Sequence, residues 1–144
     1  MTKSILTQET IKQLLSYNQE TGSFTWKIAG SRKMRAGDAA GNIHQSTGYM
    51  QIGLNYRQYM SHRLAWLYVY GEWPKCQIDH INHNKTDNRI CNLREVSHKE
   101  NAQNSPINSR NISGFTGVGW MKSANKWRVY ISVNDKPIHL GLYE

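Results

Sequence analysis

The sequence predicts an α+β fold, with a strand, loop, strand, helix unit at its centre, a helix and strand region before it and a three-stranded antiparallel sheet after it. Three observations carry this. Helical apolar stripes are short and few; period-two alternation accounts for most of the other apolar residues; and residues 76–105 turn abruptly rich in Asn, His and charge. The chain is therefore read as an N-terminal α+β region (1–75) packing on a core at 76–105, a linker at 106–113 and a terminal sheet at 114–144.

Thr7 is placed as a helix N-cap, with Leu6 and Ile11 as a hydrophobic staple and Glu9 in the electropositive first turn. Ile11, Leu14 and Leu15 continue an apolar stripe that Gly22 stops. Ser23 to Ile28 (SFTWKI) alternates as a strand. Ala29 to Gly41 reads as a loop, whose Arg32, Lys33 and Arg35 either contact phosphate or are simply solvated. Tyr49 to Leu54 and Arg57 to Met60 are two further strands, with Asn55 and Tyr56 near the turn. A helix then starts at Ser61 and ends at Gly71, with Pro74 confirming the break. For His62, near its start, packing or capping is favoured over function.

In the central segment, Ile78 and Ile81 flank Asp79 and His80 on a short strand, residues 82–88 form a polar loop, and Leu93 and Val96 mark a second strand. Ser97-x-x-Glu100 is a capping-box pattern that opens a helix near His98 and puts Asn101 at its fourth position. Pro106 limits its length. Residues 105–113 have linker composition. Thereafter Val118 to Met121, Trp127 to Val133 and Ile138 to Leu142 alternate as strands joined by turns at SANK and NDKP. Arg128, Tyr130 and Ser132 share one face, and Val129, Ile131 and Val133 take the other and are expected to pack inward. No packing helix follows before Glu144, which leaves open a truncated sheet unit.

Composition bounds the function. The chain has 144 residues, 38% of them hydrophobic, enough for one modest core or two small ones. Its 18 Lys/Arg against 10 Asp/Glu give a net charge of +8 and favour an anionic partner, nucleic acid before others. No apolar run approaches the roughly 20 residues of a membrane span, and Met1 to Lys12 lacks the apolar centre of a secretory signal. An intracellular, cytoplasmic protein is expected. Cys76 and Cys91 are the only cysteines, too few to staple a secreted fold. With His80 and His83 they could form a zinc site, but the order C-x3-H-x2-H-x7-C contains no paired Cys-x-x-Cys clip.

If the central strands and helix fold as a hairpin with the helix across it, Asp79 and Asn101 can converge. A carboxylate plus an amide oxygen is a hard donor set suited to Mg²⁺, which takes its other ligands from water and phosphate. His80 is the common side chain whose pKa suits taking a proton from water near neutrality. An Asn on the adjacent strand, Asn92, can fix either that ring or the loop bearing it. Taken singly these are ordinary residues: Asn88 and Asn92 are good turn formers, and Asp79-His80 could be a surface pair. Their joint spacing points to phosphodiester hydrolysis.

D-H at Asp79-His80, D-N-R-I-x-N-L-R at 87–94 and E-N-A-x-N at 100–104 resemble the HNH nucleases, particularly the phage and intron-encoded homing endonucleases with an H-N-N motif. The likeness extends through FTWK (24–27), GYMQI (48–52) and HRLAWLYVYGEWP (62–74). It implies a ββα-metal finger, with His80 as general base, Asn92 orienting it, and Asp79 and Asn101 binding one divalent ion. Arg89 and Arg94, inside the motif, are expected on DNA. The products would carry 3′-hydroxyl and 5′-phosphate ends. Asn101 stands where many members have a third His, which moves the expected metal toward Mg²⁺ or Mn²⁺.

GVGWMKSANKWRVYISVNDKPIHLG (117–141) is similar to the three-stranded DNA-binding domain of plant ethylene-response-type transcription factors, whose sheet enters the major groove. That likeness places Trp120, Lys122, Lys126, Arg128 and Tyr130 near DNA, with Trp120 or Trp127 alternatively in the core. Here Gly119-Trp120-Met121 replaces the arginine-rich first strand of that family, and its packing helix is missing.

The expectation is a divalent-metal-dependent endonuclease, phage-encoded and acting in a bacterial host. It would act as a monomer on double-stranded DNA, nicking one strand per encounter, with no membrane partner and no small-molecule cofactor. The rival is a DNA-binding regulator whose nuclease motif has decayed.

Overall fold

In the structure, a computed structural model that describes residues 6–30, 34–104, 107, 109–133 and 136–144, Thr7 caps the first helix as its sequence requires. Its hydroxyl accepts the Thr10 N–H at 3.3 Å, starting α1 (Gln8–Leu14), and Leu6 and Ile11 are both buried. The helix stops at Leu14, well short of Gly22. Leu15–Tyr17 is instead an extended strand, β1, paired antiparallel with β2 (Phe24–Trp26). Burial of Leu15 and Tyr17 with Ser16 outward is a two-residue period, which only a strand delivers. Gly22 takes φ +71° in the connecting turn, where its backbone lies against Asn88 and Arg89.

The segment read as a loop, 29–41, carries one isolated bridge, from Ala39 to Thr25, and a short strand, β3 (Asn42–Ile43), follows directly after it. β3 pairs with β4 (Met50–Leu54), which pairs with β5 (Arg57–Met60). The β4–β5 turn places Asn55 and Tyr56 at φ 49° and 60°, the left-handed pair that a tight hairpin demands. From β5 the chain passes directly into α2 (Ser61–Tyr70), ended by Gly71 at φ 82°. Ile11, Leu15, Ile52, Leu64 and Leu67 form the centre of the core. Each fully buried side chain of this kind contributes roughly 1.5–3 kcal/mol.

β6 (Gln77–His80) and β7 (Leu93–Val96) form a separate antiparallel hairpin, with a single 3-10 turn at Ile90–Asn92 leading into β7. After β7 the predicted capping box is present. The Ser97 N–H donates to Glu100 Oε2 at 2.8 Å and the Glu100 N–H to Ser97 Oγ at 3.3 Å, opening α3 (His98–Asn104).

The chain divides into two compact units, Met1–Gln103 and Asn104–Glu144. The second carries β8 (Val118–Met121), β9 (Lys126–Val133) and β10 (Lys136–Tyr143), in the order β10-β9-β8. Register aligns Trp120 with Trp127, whose rings meet edge to face at 5.1 Å. Of the residues expected to pack inward, Val129 is half-buried but Ile131 and Val133 are not. Ile131 and Val133 are 46% and 44% exposed, because within this unit no described element covers their face.

Among the described residues, no helix is long and apolar enough to cross a membrane.

Candidate active site

Register on the central hairpin decides which side chains meet. Asp79 pairs with Arg94 and His80 with Leu93. Arg94, expected on DNA, donates both Nε (3.0 Å) and Nη2 (2.7 Å) to Asp79 Oδ2. Arg89, also expected on DNA, grips Asp87 through Nε to Oδ1 at 2.7 Å and Nη2 to Oδ2 at 2.6 Å. Those bonds hold the Asp87 carboxyl well below the usual carboxylate range.

His80 is buried, and its Nε2 lies 3.2 Å from Asn88 Oδ1. The Asn88 amide is oriented by its own Nδ2, which donates to the Thr86 carbonyl at 3.2 Å. The hydrogen-bond network therefore assigns the proton to His80 Nε2 and leaves Nδ1 with its lone pair. Burial pushes the His80 pKa down, against the opposing pull of the Asn88 bond and the nearby Asp79, so the neutral imidazole is favoured.

Asn88 is itself braced from the N-terminal hairpin. The Tyr17 hydroxyl donates to its carbonyl at 2.6 Å, and Gly22 packs on its backbone. Tyr17 is buried enough that its pKa rises to about 12.

Asn92 makes no hydrogen bond to the His80 ring; its side-chain hydrogen bonds are with the loop. Its Oδ1 accepts the Asn82 N–H at 3.0 Å, and its Nδ2 donates to Asn82 Oδ1 at 3.0 Å and to the Asp87 carbonyl at 2.8 Å. The Asn92 carbonyl also accepts the Ile81 N–H at 2.9 Å. The two ends of the 82–87 loop are thus clipped together by one carboxamide.

Asn101 reaches back from α3 and donates Nδ2 to Gln77 Oε1 at 2.6 Å. Gln77 and Asp79 alternate to the same face of β6, about 7 Å apart along the strand. The helix residue is thereby brought to the strand face that bears Asp79.

As a donor set, one carboxylate and one carboxamide fit a hard cation that completes its shell with water and phosphate oxygens. The described residues contain no group of three or more His, Cys, Asp or Glu side chains able to hold a metal. Cys76 and Cys91 are exposed free thiols while His80 is buried, so the Cys/His zinc set is not gathered.

His62 packs, one of the two roles expected for it, and does not cap. The N-cap of α2 is Met60, and the His62 ring packs edge-on to His80 at 5.2 Å and to Tyr49 at 5.2 Å. Its Nδ1 is buried without a hydrogen-bond partner among the described residues, as is Ser61 Oγ. Burial, reinforced by the neighbouring His80, lowers its pKa to about 3.

The remaining DNA-contact candidates are dispersed. Arg32 and Lys33 lie outside the described residues; Arg35 sits in a turn closed by its own N–H donating to Asp38 Oδ2 at 2.8 Å. On the terminal sheet, Lys126, Arg128 and Tyr130 share one face, and the Arg128 guanidinium lies 5.8 Å from the Tyr130 ring centre. Those last two residues line an open groove of about 300 Å³ with Pro137 and His139. Trp120, aligned with Trp127, is on the opposite face, and with Lys122 it borders a different hollow of about 450 Å³. The five candidates therefore do not form one surface.

Sequence reasoning passed over Asn88 as a ring partner. The D-N-R context was the one pointer to Asn88, whereas its contact with His80 depends on how the loop closes.

A family model described as HNH endonuclease matches residues 59–103. Protein 3.8 of Escherichia phage T7 is 33% identical over 82 residues, covering 56% of this chain and 68% of that protein. A solved structure of DNA binding and cleavage by the HNH homing endonuclease I-HmuI is 25% identical, with a TM-score of 0.46. That alignment covers 63% of this chain and 51% of the other, so the chain spans about half the length of that enzyme.

Proposed function

Since the chain belongs to the HNH endonuclease family, we propose that it is a divalent-metal-dependent endonuclease that hydrolyses DNA phosphodiester bonds. One observation carries the reading: His80 is held through Nε2 by Asn88, which leaves Nδ1 as a neutral acceptor.

In this reading Nδ1 of His80 takes a proton from the attacking water, and Asn88 Oδ1 stabilises the ring as it becomes positively charged. Asn92 holds the loop that carries Asn88. Asp79 and Asn101 would hold a Mg²⁺ or Mn²⁺ ion, which when bound supplies positive charge for the phosphate and the departing 3′ oxygen. The products are 3′-hydroxyl and 5′-phosphate ends. One site per chain cuts one strand, so a monomer nicks.

Lys126, Arg128 and Tyr130 suit a DNA-facing surface on the terminal sheet, with the guanidinium and ring offering phosphate and base contacts. The net charge of +8 supports a double-stranded DNA partner. Likeness to a phage protein supports action inside a bacterial host.

A second reading draws on Arg94. Its two bonds to Asp79 Oδ2 occupy the only carboxylate of the donor set, as a binding protein with a disused nuclease motif would tolerate.

Nicking of supercoiled plasmid with and without Mg²⁺, comparing the parent with His80→Ala, separates the two. Mg²⁺-dependent nicking that His80→Ala abolishes is expected. Cutting that persists in His80→Ala rejects the role of His80, and binding without cutting in either protein favours the regulator.

A further inference from the structure

Three basic side chains lie on the central hairpin and its loop: Lys85, Arg89 and Arg94. Two are matched to acids, Arg89 to Asp87 and Arg94 to Asp79. Lys85 forms no ion pair with a carboxylate among the described residues. Its Nζ instead donates to the Thr47 carbonyl at 3.0 Å and sits 5.0 Å from the centre of the Tyr49 ring. The same Tyr49 ring packs 5.8 Å from the ring of His80. A cation is therefore parked one aromatic ring away from the general base.

The loop around Lys85 is ordered by its own polar side chains. Asn84 Oδ1 accepts the Thr86 N–H at 3.1 Å and hydroxyl at 2.8 Å, and Asn82 Oδ1 accepts the Asn84 N–H at 2.9 Å. Asn92 clips both ends. A lysine on a mobile loop would lose side-chain and backbone entropy on gripping a ligand; here the backbone share is already spent in folding. An ammonium group has three donors, and the Thr47 carbonyl and the Tyr49 π-face leave one for an anion.

We propose that Lys85 binds the DNA phosphate presented to His80, and that Asn92 acts by fixing the loop that aims it. This rests on the chain acting on DNA as proposed above. The uncompensated charge lies one aromatic ring from His80, across Tyr49, while the two arginines nearby are largely neutralised by their acids.

The test uses the full chain as parent, Lys85→Met and Lys85→Arg. Single-turnover plasmid nicking in Mg²⁺ and binding to a labelled mixed-sequence duplex are each measured over a series of salt concentrations. Lys85→Met should slow nicking roughly 10- to 100-fold and flatten the slope of log binding constant against log salt by about 0.9, the loss of one phosphate contact. Lys85→Arg should stay within about threefold of the parent and keep its slope. An unchanged salt slope in Lys85→Met overturns the proposal, whether or not nicking slows, because a lysine that only tethers the loop would not alter counterion release. A parent that binds but never nicks rejects the endonuclease reading, and Lys85 is then decided by the binding slope alone. Should Lys85→Met melt earlier than the parent, Lys85→Gln is held to the same slope criterion.

Discussion

Asn88 Oδ1 and His80 Nε2 lie 3.2 Å apart, and this contact, not one from Asn92, fixes the imidazole. A histidine base needs one nitrogen tied and the other open, and the tied one sets the tautomer. Asn88→Ala removes the tie without touching the Tyr17 bond to the Asn88 backbone. Nicking at saturating DNA should fall about 10- to 1000-fold, less than the roughly 10⁴-fold lost when a charged tautomer-fixing carboxylate is replaced, because a neutral carboxamide stabilises the imidazolium less. Asn88→Asp keeps an acceptor but adds a negative charge, which favours the imidazolium. Its acid limb in the pH–rate profile should therefore move to higher pH. An Asn88→Ala protein with parental turnover would show that the ring needs no such partner.

Asn92→Ala tests the loop clip. It leaves the half-buried Asn82 N–H and Asp87 carbonyl without the carboxamide that serves them. The expected cost is about 1–3 kcal/mol of stability, read as a lower denaturant midpoint. Nicking should fall with it even in conditions where the variant is fully folded, since both Lys85 and Asn88 ride on that loop. A loss of activity with an unchanged midpoint would instead place Asn92 in direct contact with substrate.

The parts of this site that were legible in the sequence are those with local causes. The capping box at Ser97 and Glu100, the turn at Asn55-Tyr56 and the Gly71 stop are each set by residues within four positions of one another. Asp79 and His80 on a strand and Asn101 early in a helix follow from the same kind of pattern. Asn88 was invisible as a ring partner because its side-chain direction depends on the whole fold of the 82–87 loop and on Tyr17, 71 residues away. The pairing of Arg94 with Asp79 depends on hairpin register, which a long polar loop does not specify. Helix α1 was overextended because Leu15 satisfies both a helical stripe and a strand period, and pairing with β2 decided between them.

Acid sensitivity should follow from the paired histidines. His62 has its pKa lowered from 6.5 to about 3, and His80 is shifted in the same direction. Between the two His62 values the unfolded chain binds the proton and the folded chain does not, so stability is full above pH 6.5 and falls as the pH drops toward 3. Each buried histidine that stays neutral contributes a slope of up to about 1.4 kcal/mol per pH unit. Urea midpoints at pH 7, 6 and 5 should decline. His62→Phe keeps a ring against Tyr49 and His80 but removes the unpartnered nitrogen, so its decline should be shallower. Equal slopes for parent and variant would mean that His62 is protonated in the fold.

Gly22 connects the N-terminal hairpin to the site. At φ +71° a side chain is strained, and its Cβ would run into the backbone of Asn88 and Arg89. Gly22→Ala should cost about 1–3 kcal/mol and should reduce nicking beyond what unfolding explains, because the displaced residue is the one holding His80. Gly37→Ala is the control: its φ of +91° is equally unfavourable, yet nothing lies within 4 Å of the added carbon. It should lose stability and retain turnover. Similar turnover in the two variants would detach the hairpin from the chemistry.

Arg94 and a divalent cation make competing demands on Asp79. The guanidinium donates twice to Oδ2, and a hard ion needs the same carboxylate negative and accessible. Arg94→Met removes the competitor while keeping an unbranched side chain on β7. With Arg94 42% exposed, the lost ion pair itself should cost no more than about 1 kcal/mol. The Mg²⁺ concentration for half-maximal nicking should therefore fall, by up to about fivefold if opening the pair before the ion binds costs up to about 1 kcal/mol. Arg94 as a DNA contact predicts the opposite signature: an unchanged Mg²⁺ midpoint, weaker duplex binding and a salt slope lower by about 0.9. Titrating Mg²⁺ at fixed saturating DNA, then DNA at fixed saturating Mg²⁺, assigns the guanidinium to one partner or the other. If Mg²⁺ titrates identically in both proteins while DNA binding weakens, Asp79 is not where the ion and Arg94 compete.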